Sequence, residues 1–260
     1  MNLAQHLIYY VLHQIKGRKA ANLRLPLPPS IFNKEPIAHT ADASIYRRWD
    51  QLRSSMLHDR STIKVTDYGA GERENSYRTI ASIARKSSQK SRFNTLQYHL
   101  IKHTAPTTLL EMGTSFGLTT ALFAMAAPEA RIITMEGCPN TASKARETFR
   151  HLGLNNIELV VGPFDTHLDE VLKTLEKLDY VYFDGNHRMA PTLNYFLRAC
   201  SSAHAESVFV LDDIRWSKQM YEAWLEINKH PAIRLSLDLY AIGVLTFNPE
   251  HPVHRKVIRY

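Results

Sequence analysis

From about residue 93 onward, the sequence alternates between short apolar β-rich runs and segments with helical patterning. Five such runs, TLLEMG, RIITMEG, NIELVVG, DYVYFDG and SVFVLDD, are each followed by a helical segment. Strands that alternate with helices form βαβ units with a parallel sheet. Two further runs, IRLSLDLY and AIGVLTF, have almost no linker between them, so a crossover helix cannot fit. The sequence therefore predicts an α/β fold with a doubly wound, mostly parallel sheet whose last pair of strands is antiparallel.

Residues 1–92 lack the alternation of strand and helix patterns seen in this region. They contain the proline-rich connector RLPLPPSIFNKEP at 24–36, followed by helical patterning in ASIYRRWDQLRSSMLH. We therefore predict a helical N-terminal extension or lid over 1–92 and the main domain over 93–260. A glycine pair within KVTDYGAGERENS imitates a nucleotide loop, but no apolar β run precedes it. We interpret this segment as a turn or a lid on the substrate side.

The first helix predicted by the sequence has an apolar stripe, with Leu3, Leu7, Val11 and Ile15 at helical spacing. Basic residues follow it directly, in KGRK. Docking on its own domain or on a second subunit, as in a homodimer, is the favoured interpretation. Peripheral contact with a membrane surface is the alternative. No apolar run reaches the roughly 18 to 20 residues of a transmembrane span.

Composition limits the class of protein. The chain has 260 residues, a net charge of +7 and only two cysteines, Cys138 and Cys200. Neither cysteine has a Cys or His at zinc spacing, and so few cysteines suit a reducing, cytoplasmic location. The positive charge is compatible with an anionic substrate or with a basic surface that has no specific partner. Basic residues seldom alternate with aromatic residues along the chain, so nucleic acid is not the expected partner.

Residues 113–117, GTSFG, allow two interpretations. As G-x-S-x-G, they match the nucleophile elbow of a serine hydrolase, with Ser115 as nucleophile. As a glycine-flanked loop after a strand, Gly113 and Gly117 allow a tight turn and a close approach of a cofactor to the backbone. The flanking acids favour the cofactor loop. Glu111 lies near the end of the first predicted strand, two residues before Gly113. Glu136 ends the second predicted strand, 19 residues after Gly117.

An acid about 20 residues after a glycine loop is the expected acceptor for ribose hydroxyls. The middle glycine of G-x-G-x-x-G is absent, which removes the close-approach position for a pyrophosphate. The ligand should therefore be nucleoside-like without a diphosphate, and S-adenosylmethionine fits. Glu111 would favour the positively charged methionine end, and Glu136 would bind the ribose oxygens.

At this point the chain resembles a known family. The sequence resembles a class I S-adenosylmethionine-dependent methyltransferase, and it is most similar to the small-molecule O-methyltransferases. The resemblance rests on five segments in this order: LLEMGTSFGLTT, ITMEGCP, VVGPF, YVYFDGNH and VFVLDDIRWS. The resemblance covers roughly 93–247 and implies a Rossmann-like sheet of seven strands. It also implies cofactor contacts from the loop and from the segments after the second and third strands. The implied residues are Thr114, Ser115, Thr119, Gly137 and the stretch 162–165 with Phe164.

The loops after the fourth and fifth strands would face the transferred methyl group, since ligands bind at the carboxyl ends of such strands. His187 is a candidate general base, with capping of a helix as the alternative role. Asp184 and Asp213 are the other catalytic candidates, and Asp184 is also a cofactor candidate. Asp184, Asp212 and Asp213 could together bind a divalent cation such as Mg²⁺. The pair Asp212–Asp213 departs from the Asp-Asn usual in metal-dependent members, which puts the metal in doubt.

The segment FDGNH also departs from the (N/D)-P-P-(Y/F) tetrapeptide that amino-methylating enzymes use after the fourth strand. The sequence therefore predicts methylation of an oxygen on a small, hydroxylated or anionic acceptor. The alternatives are a methyltransferase acting on RNA or protein through the basic N-terminal region, and a cofactor-binding protein without catalysis.

Overall fold

The computed structural model describes residues 3–19, 25, 27–32, 36–68, 75–87 and 91–260. Its helices are α1 (Leu3–Lys16), α2 (Ala43–His58), α3 (Ile80–Ser87), α4 (Ser91–Thr104), α5 (Leu118–Ala126), α6 (Pro139–Leu152), α7 (Phe164–Lys173), α8 (Met189–Cys200) and α9 (Lys218–Ile227). Its strands are β1 (Thr62–Thr66), β2 (Asn75–Thr79), β3 (Thr108–Met112), β4 (Arg131–Glu136), β5 (Ile157–Val161), β6 (Tyr180–Phe183), β7 (Val208–Leu211), β8 (Leu235–Asp238), β9 (Gly243–Thr246) and β10 (His254–Val257).

The described strands from β3 onward form one sheet in the order β10-β8-β9-β7-β6-β3-β4-β5. Pairs within β5-β4-β3-β6-β7 are parallel, and β9 is antiparallel to both β7 and β8. The chain first winds from β3 towards β5 and then returns to β6 on the other side of β3. The strand order therefore reverses between β3 and β6, and this is where a doubly wound sheet binds its ligand.

The predicted α/β fold is confirmed, including the antiparallel strand near its end. The sheet differs from the expected seven strands by one addition. β10 pairs in parallel with β8 at the edge of the sheet, outside the antiparallel strand β9. Its segment HRKV is polar and has no strand-like apolar pattern, which is why the sequence did not predict it.

The strands are apolar on both sides because helices cover both faces of the sheet. One face packs alternate residues such as Leu109, Ile132 and Val210 against α4 and α5. The other packs Leu110, Ile133 and Phe209 against α7, α8 and α9. These two layers fix the carboxyl ends of β3, β4, β6 and β7 along one edge.

The start of α6 corrects one detail of the sequence prediction. The capping preference of threonine predicts Thr141 as the N-cap of this helix, but the helix begins three residues earlier, with Cys138 as N-cap and Pro139 in the first turn. Proline fits the first turn of a helix because its missing N–H needs no partner there. Gly153 ends the helix, with a positive φ of 71° that glycine adopts readily.

The N-terminal residues pack directly on the main domain. Trp49 of α2 is buried, and its indole N–H donates to the carbonyl of Leu118 at 2.8 Å. A hairpin of β1 and β2 accompanies the helices there, whereas the sequence showed no apolar β run before the segment KVTDYGAGERENS, whose first residues lie in β1. Gly69 and Gly71 of that segment lie outside the described residues. None of the described helices is both long and apolar enough to cross a membrane.

Candidate active site

The loop from β3 to α5 brings the tips of β3 and β6 into contact. Gly113 has φ 114°, and Gly117, the N-cap of α5, has φ 75°. A Cβ placed on Gly113 would lie 2.1 Å from the carbonyl oxygen of Asp184. Glycine is therefore required at 113 both by conformation and by the close approach of a second backbone. The loop that the sequence predicted as a cofactor cradle lies at the switch point of the sheet.

Glu111 is fully buried beneath this loop. Its Oε2 accepts hydrogen bonds from the hydroxyls of Thr120 and Thr134, the latter at 2.6 Å. Its Oε1 is buried and has no hydrogen-bond partner among the described residues. Burial raises the pKa of Glu111 to about 7 against these two hydrogen bonds. The structure thus leaves one acceptor atom of this carboxyl group unmatched inside the protein, which is costly unless a ligand supplies a donor.

Glu136 lies at the tip of the adjacent strand, β4. Its Oε2 accepts from the backbone N–H of Ser115 at 2.8 Å, and its Oε1 accepts from the N–H of Cys138 at 2.9 Å. Burial raises the pKa of Glu136 to about 7 despite these backbone hydrogen bonds. The two glutamates are near enough for the charge of Glu136 to raise the pKa of Glu111 as well. They therefore lie on the same side of the molecule, around one loop.

The nucleophile-elbow interpretation gains no support from the surroundings of Ser115. This residue has a positive φ of 50° and binds Glu136 through its backbone N–H. Among the described residues, no histidine is hydrogen-bonded to its hydroxyl group. An elbow serine needs such a base to become nucleophilic.

The predicted threonines of the loop are placed differently from one another. Thr114 is buried, and its hydroxyl is 2.6 Å from that of Thr134. Thr119 is buried in the first turn of α5, but its neighbour Thr120 is the residue that binds Glu111. Thr120 and Thr134 were not predicted, and the available signal was one threonine early in the helix after the glycine loop and another in the next strand, β4.

The segment after β5, which the family resemblance places near the adenine, lies beside Glu136. The N–H of Gly162 donates to the carbonyl of Glu136 at 2.9 Å. Phe164 begins α7, and its ring lies against Gly185, where a Cβ would come within 2.6 Å of it. The same ring contacts Tyr195 with 5.7 Å between centroids. Phe164 thus joins the loop after β5 to the loop after β6.

The hairpin of the N-terminal part closes over the residue that follows Glu136. A Cβ on Gly137 would lie 2.6 Å from the ring of Tyr68, so the ring covers this peptide. The backbone carbonyl of Lys64, in β1, accepts a hydrogen bond from the side-chain amide of Asn140 at 2.9 Å. Arg188 reaches the carbonyl of Tyr68 at 2.8 Å from the loop after β6. Sequence spacing gave no sign of Tyr68, because its partners are about 70 and 120 residues away.

Three carboxyl groups meet at the tips of β6 and β7. Asp212 accepts from the hydroxyl of Tyr182 at 2.8 Å and from the N–H of Asp213 at 2.8 Å. Burial, with repulsion from Asp212 and Asp213, raises the pKa of Asp184 well above its usual range. Burial and the charge of Asp212 raise the pKa of Asp213 to about 7. The cluster therefore retains protons that isolated aspartates lose.

His187 lies next to this cluster. Its Nε2 is 3.8 Å from Oδ1 of Asp184, and its ring is 5.7 Å from that of Trp216, between centroids. Burial lowers the pKa of His187, although the charges of Asp212 and Asp67 oppose the shift. The imidazole is therefore neutral at pH 7. Trp216 is 54% exposed, so its ring forms an open wall beside a neutral histidine.

The predicted metal ligands do not form a metal-binding group in this structure. Within the described part of the chain, no three His, Cys, Asp or Glu side chains are arranged to hold an ion. Asp184, Asp212 and Asp213 are neighbours, but they interact through shared protons and backbone hydrogen bonds. The divalent cation remains a prediction that this geometry does not support.

Comparisons with known proteins agree with the predicted class. Residues 110–214 match a family described as a methyltransferase domain. No curated protein gives a significant sequence match. A SAH-bound methyltransferase from Podospora anserina is 14% identical, with a TM-score of 0.57, over 95% of this chain and 97% of that one. An O-methyltransferase from Bacillus cereus in complex with SAH is 15% identical, with a TM-score of 0.59, over 81% and 93%.

A third solved structure is an O-methyltransferase from Streptomyces achromogenes, involved in tomaymycin synthesis and in complex with SAM. It is 17% identical to this chain, with a TM-score of 0.54, over 62% of this chain and 82% of that one. At such identities these neighbours establish the fold, and the matched segment spans β3 to the loop after β7. The described chain therefore has the Rossmann-like fold of these solved methyltransferases, and residues 110–214 match a methyltransferase domain.

Proposed function

We propose that the protein is an enzyme that transfers the methyl group of S-adenosylmethionine to an oxygen atom of a small hydroxylated acceptor. The observation that carries this proposal is the position of Glu111 and Glu136 at adjacent strand tips, with the glycine loop between them and hydrogen-bonded to Glu136. At this edge of the sheet, two carboxyl groups lie close enough together to bind one ligand that carries both a positive charge and a diol.

The donor set of this cradle fits the cofactor. The unmatched Oε1 of Glu111 is an acceptor suited to the ammonium group of the methionine part. Glu136 is suited to the ribose diol, whose hydroxyls would replace or share its backbone donors. Gly113 and Gly117 leave two positions of the loop without a side chain, and 162–165 with Phe164 would border the adenine. Thr114, Ser115 and Gly137 complete the proposed contacts, while Thr119 lies one residue from the threonine that orients Glu111.

S-Adenosylmethionine supplies an electrophilic methyl carbon when it is bound. The chain must then orient an acceptor hydroxyl and remove its proton. His187 is suited to this task because its lowered pKa keeps the imidazole neutral, so that the ring can accept a proton. Asp184 lies 3.8 Å from the imidazole, and the charge of Asp212 would stabilise the imidazolium that forms. Asp213 would orient the acceptor, and Trp216 would flank it.

The loop after β6 supports oxygen rather than nitrogen as the acceptor atom. The side chain of Asn186 donates to the hydroxyl of Tyr195 at 3.0 Å and accepts from Arg188 at 2.8 Å. Its amide is therefore engaged within the protein, and it does not offer the free carbonyl that an amino substrate needs. Two of the solved structures of similar fold are O-methyltransferases by name.

The proposal is tested in two steps. Isothermal titration with S-adenosylmethionine and with S-adenosylhomocysteine measures cofactor binding directly. Radiolabelled methyl transfer is then measured on vicinal diols, single phenols and carboxylates, each with Mg²⁺ and with a chelator. Transfer to a hydroxyl supports the proposal, and its loss with the chelator would establish a metal-assisted reaction.

Other outcomes would contradict the proposal. Absence of cofactor binding would remove its premise. Strong, salt-dependent retention of RNA together with methylation of RNA would assign a macromolecular substrate instead. Cofactor binding without turnover on any acceptor class would leave a non-catalytic binding protein.

A further inference from the structure

The first helix presents an apolar face to solvent. Five aliphatic residues of α1 are 42–73% exposed, and they fall on one arc of the helix at 100° per residue. They are Leu7, Ile8, Val11, Leu12 and Ile15. Exposed aliphatic residues that occur singly need no explanation, but a continuous stripe of five marks a surface that is covered in use.

The opposite side of α1 is the side that packs on the domain. His13 is 3% exposed, and its Nε2 is 3.1 Å from the carbonyl of Asp238. The carbonyl of His6 accepts from the hydroxyl of Tyr240 at 2.9 Å. Tyr9 packs on Tyr221 with 5.2 Å between ring centroids. The helix thus uses polar and aromatic residues to bind its own domain, which leaves the aliphatic arc outside.

Positive charge surrounds the end of this arc. Residues 3–19 contain no Asp or Glu. Lys16, Arg18 and Lys19 are exposed, and so is Arg259, which lies beside them because its N–H donates to the carbonyl of Arg18. None of these four cations forms an ion pair with a residue of the described chain. An aliphatic arc bordered by cations is complementary to an anionic lipid surface, which offers acyl chains beneath phosphate groups.

A second copy of the chain is a poorer occupant of this face. A helix of 14 residues is about 21 Å long and about 10 Å wide, so it presents roughly 200 Å² in projection. A stable protein interface covers about 800 Å² on each partner. Two copies also carry the same net charge of +7, and their cations would repel at the contact.

We infer that α1 is an interfacial helix that docks the protein on an anionic lipid bilayer through its aliphatic arc. The helix lies along the surface and does not cross the membrane. Its contacts with Tyr221, Asp238 and Tyr240 tie this docking face to the elements around the tips of β7 and β8. The inference does not depend on the proposed methyl transfer, and its test needs no turnover.

The test is flotation of the full chain with vesicles of phosphatidylcholine alone or mixed with phosphatidylglycerol. We expect retention on the anionic vesicles and weaker retention on the neutral ones. Leu7→Gln and Ile15→Gln should each lower the partition coefficient by about tenfold, because each removes one aliphatic side chain from the lipid. Leu197→Gln is the matched control, since Leu197 is a similarly exposed leucine on α8. Unchanged Tm values show that the variants are folded.

Three results would overturn the inference. The first is no retention of the wild-type chain on either vesicle. The second is retention that salt abolishes and that Leu7→Gln and Ile15→Gln leave unchanged, which would indicate adsorption by charge alone. The third is a dimer in solution that these two substitutions dissociate, without vesicle binding, which would assign the arc to a second copy.

Discussion

The backbone N–H of Ser115 donates to Oε2 of Glu136 at 2.8 Å and so joins the glycine loop after β3 to the tip of β4. This contact ties the loop to the neighbouring strand at the site proposed for the cofactor. The contact is made by the backbone of Ser115, and the hydroxyl group of this residue takes no part in it. Glu136 is therefore the residue whose removal tests the proposed cofactor site most directly.

Glu136→Ala should weaken binding of S-adenosylhomocysteine by about 1–3 kcal/mol, because the ribose hydroxyls and two backbone donors lose their acceptor. Isothermal titration measures the change. Glu158→Ala is the matched control, since Glu158 is a half-exposed glutamate on the adjacent strand β5 that pairs with Arg131. Equal affinity in wild type and Glu136→Ala would show that the ribose does not bind at Glu136.

Cofactor affinity should rise as the pH increases from about 6 to about 8. Burial raises the pKa of both Glu111 and Glu136 to about 7, and the ligand binds their ionised forms. Below pH 7, binding must therefore release protons, which costs up to about 1.4 kcal/mol per pH unit for each proton. Titration in buffers of different ionisation enthalpy measures this release at pH 6.5. Proton uptake on binding would contradict the assignment.

The same two carboxyl groups predict the opposite trend for the protein without ligand. Their folded-state pKa lies above the value near 4.3 of a glutamate in an unfolded chain. Between about pH 4.5 and pH 7 the unfolded chain releases protons that the folded protein retains, so their contribution to stability falls as the pH rises. Glu136→Gln should flatten the slope of Tm against pH in this window. An unchanged slope would show that Glu136 ionises normally in the fold.

Tyr68→Ala should weaken S-adenosylhomocysteine binding several-fold. Its ring covers Gly137, next to the proposed ribose acceptor, and its removal exposes this peptide to water. Tyr77→Ala is the control within the same hairpin, because Tyr77 is 75% exposed. If both variants bind as the wild type does, the hairpin does not take part in the cofactor site.

His187→Gln should lower kcat by about 10²- to 10⁴-fold, which is the usual contribution of a general base, and leave cofactor affinity unchanged. Ser115→Ala should retain substantial activity, since its contact with Glu136 is made by the backbone. Steady-state methyl transfer and titration on both variants check this pair. Full activity in His187→Gln would assign the imidazole to a structural role, and complete loss in Ser115→Ala would restore the nucleophile-elbow interpretation.

The sequence predicted the features whose signal is local. Alternating strands and helices predicted a mostly parallel sheet, and the short link before residue 243 required an antiparallel pair. The glycine loop and the two acids at strand ends marked one edge, because the carboxyl ends of parallel strands meet there. Each of these inferences depends only on residue types and on spacings of about 20 residues or fewer.

The features that escaped prediction depend on distant contacts or on competition between local rules. Tyr68 meets Gly137 only through tertiary packing. Strand β10 is polar and is stabilised by pairing with β8, so no hydrophobic period reveals it. At α6, capping preference selected Thr141, but Pro139 already fits a first turn and the helix begins there. Single-sequence patterns do not show which of two acceptable starts the fold will use.

A substitution at Gly113 tests the contact between the strand tips that underlies the whole site. In Gly113→Ala, the new Cβ would lie 2.1 Å from the carbonyl oxygen of Asp184, at a φ of 114°. Backbone strain and overpacking should together destabilise the protein by about 2–6 kcal/mol. Gly153→Ala is the matched control, because Gly153 also has a positive φ of 71° but has nothing within 4 Å of its Cβ position. That control should lose only about 1–2 kcal/mol, from the left-handed conformation alone. Urea unfolding of both variants measures the difference, and equal losses would mean that the backbones of β3 and β6 do not meet at Gly113.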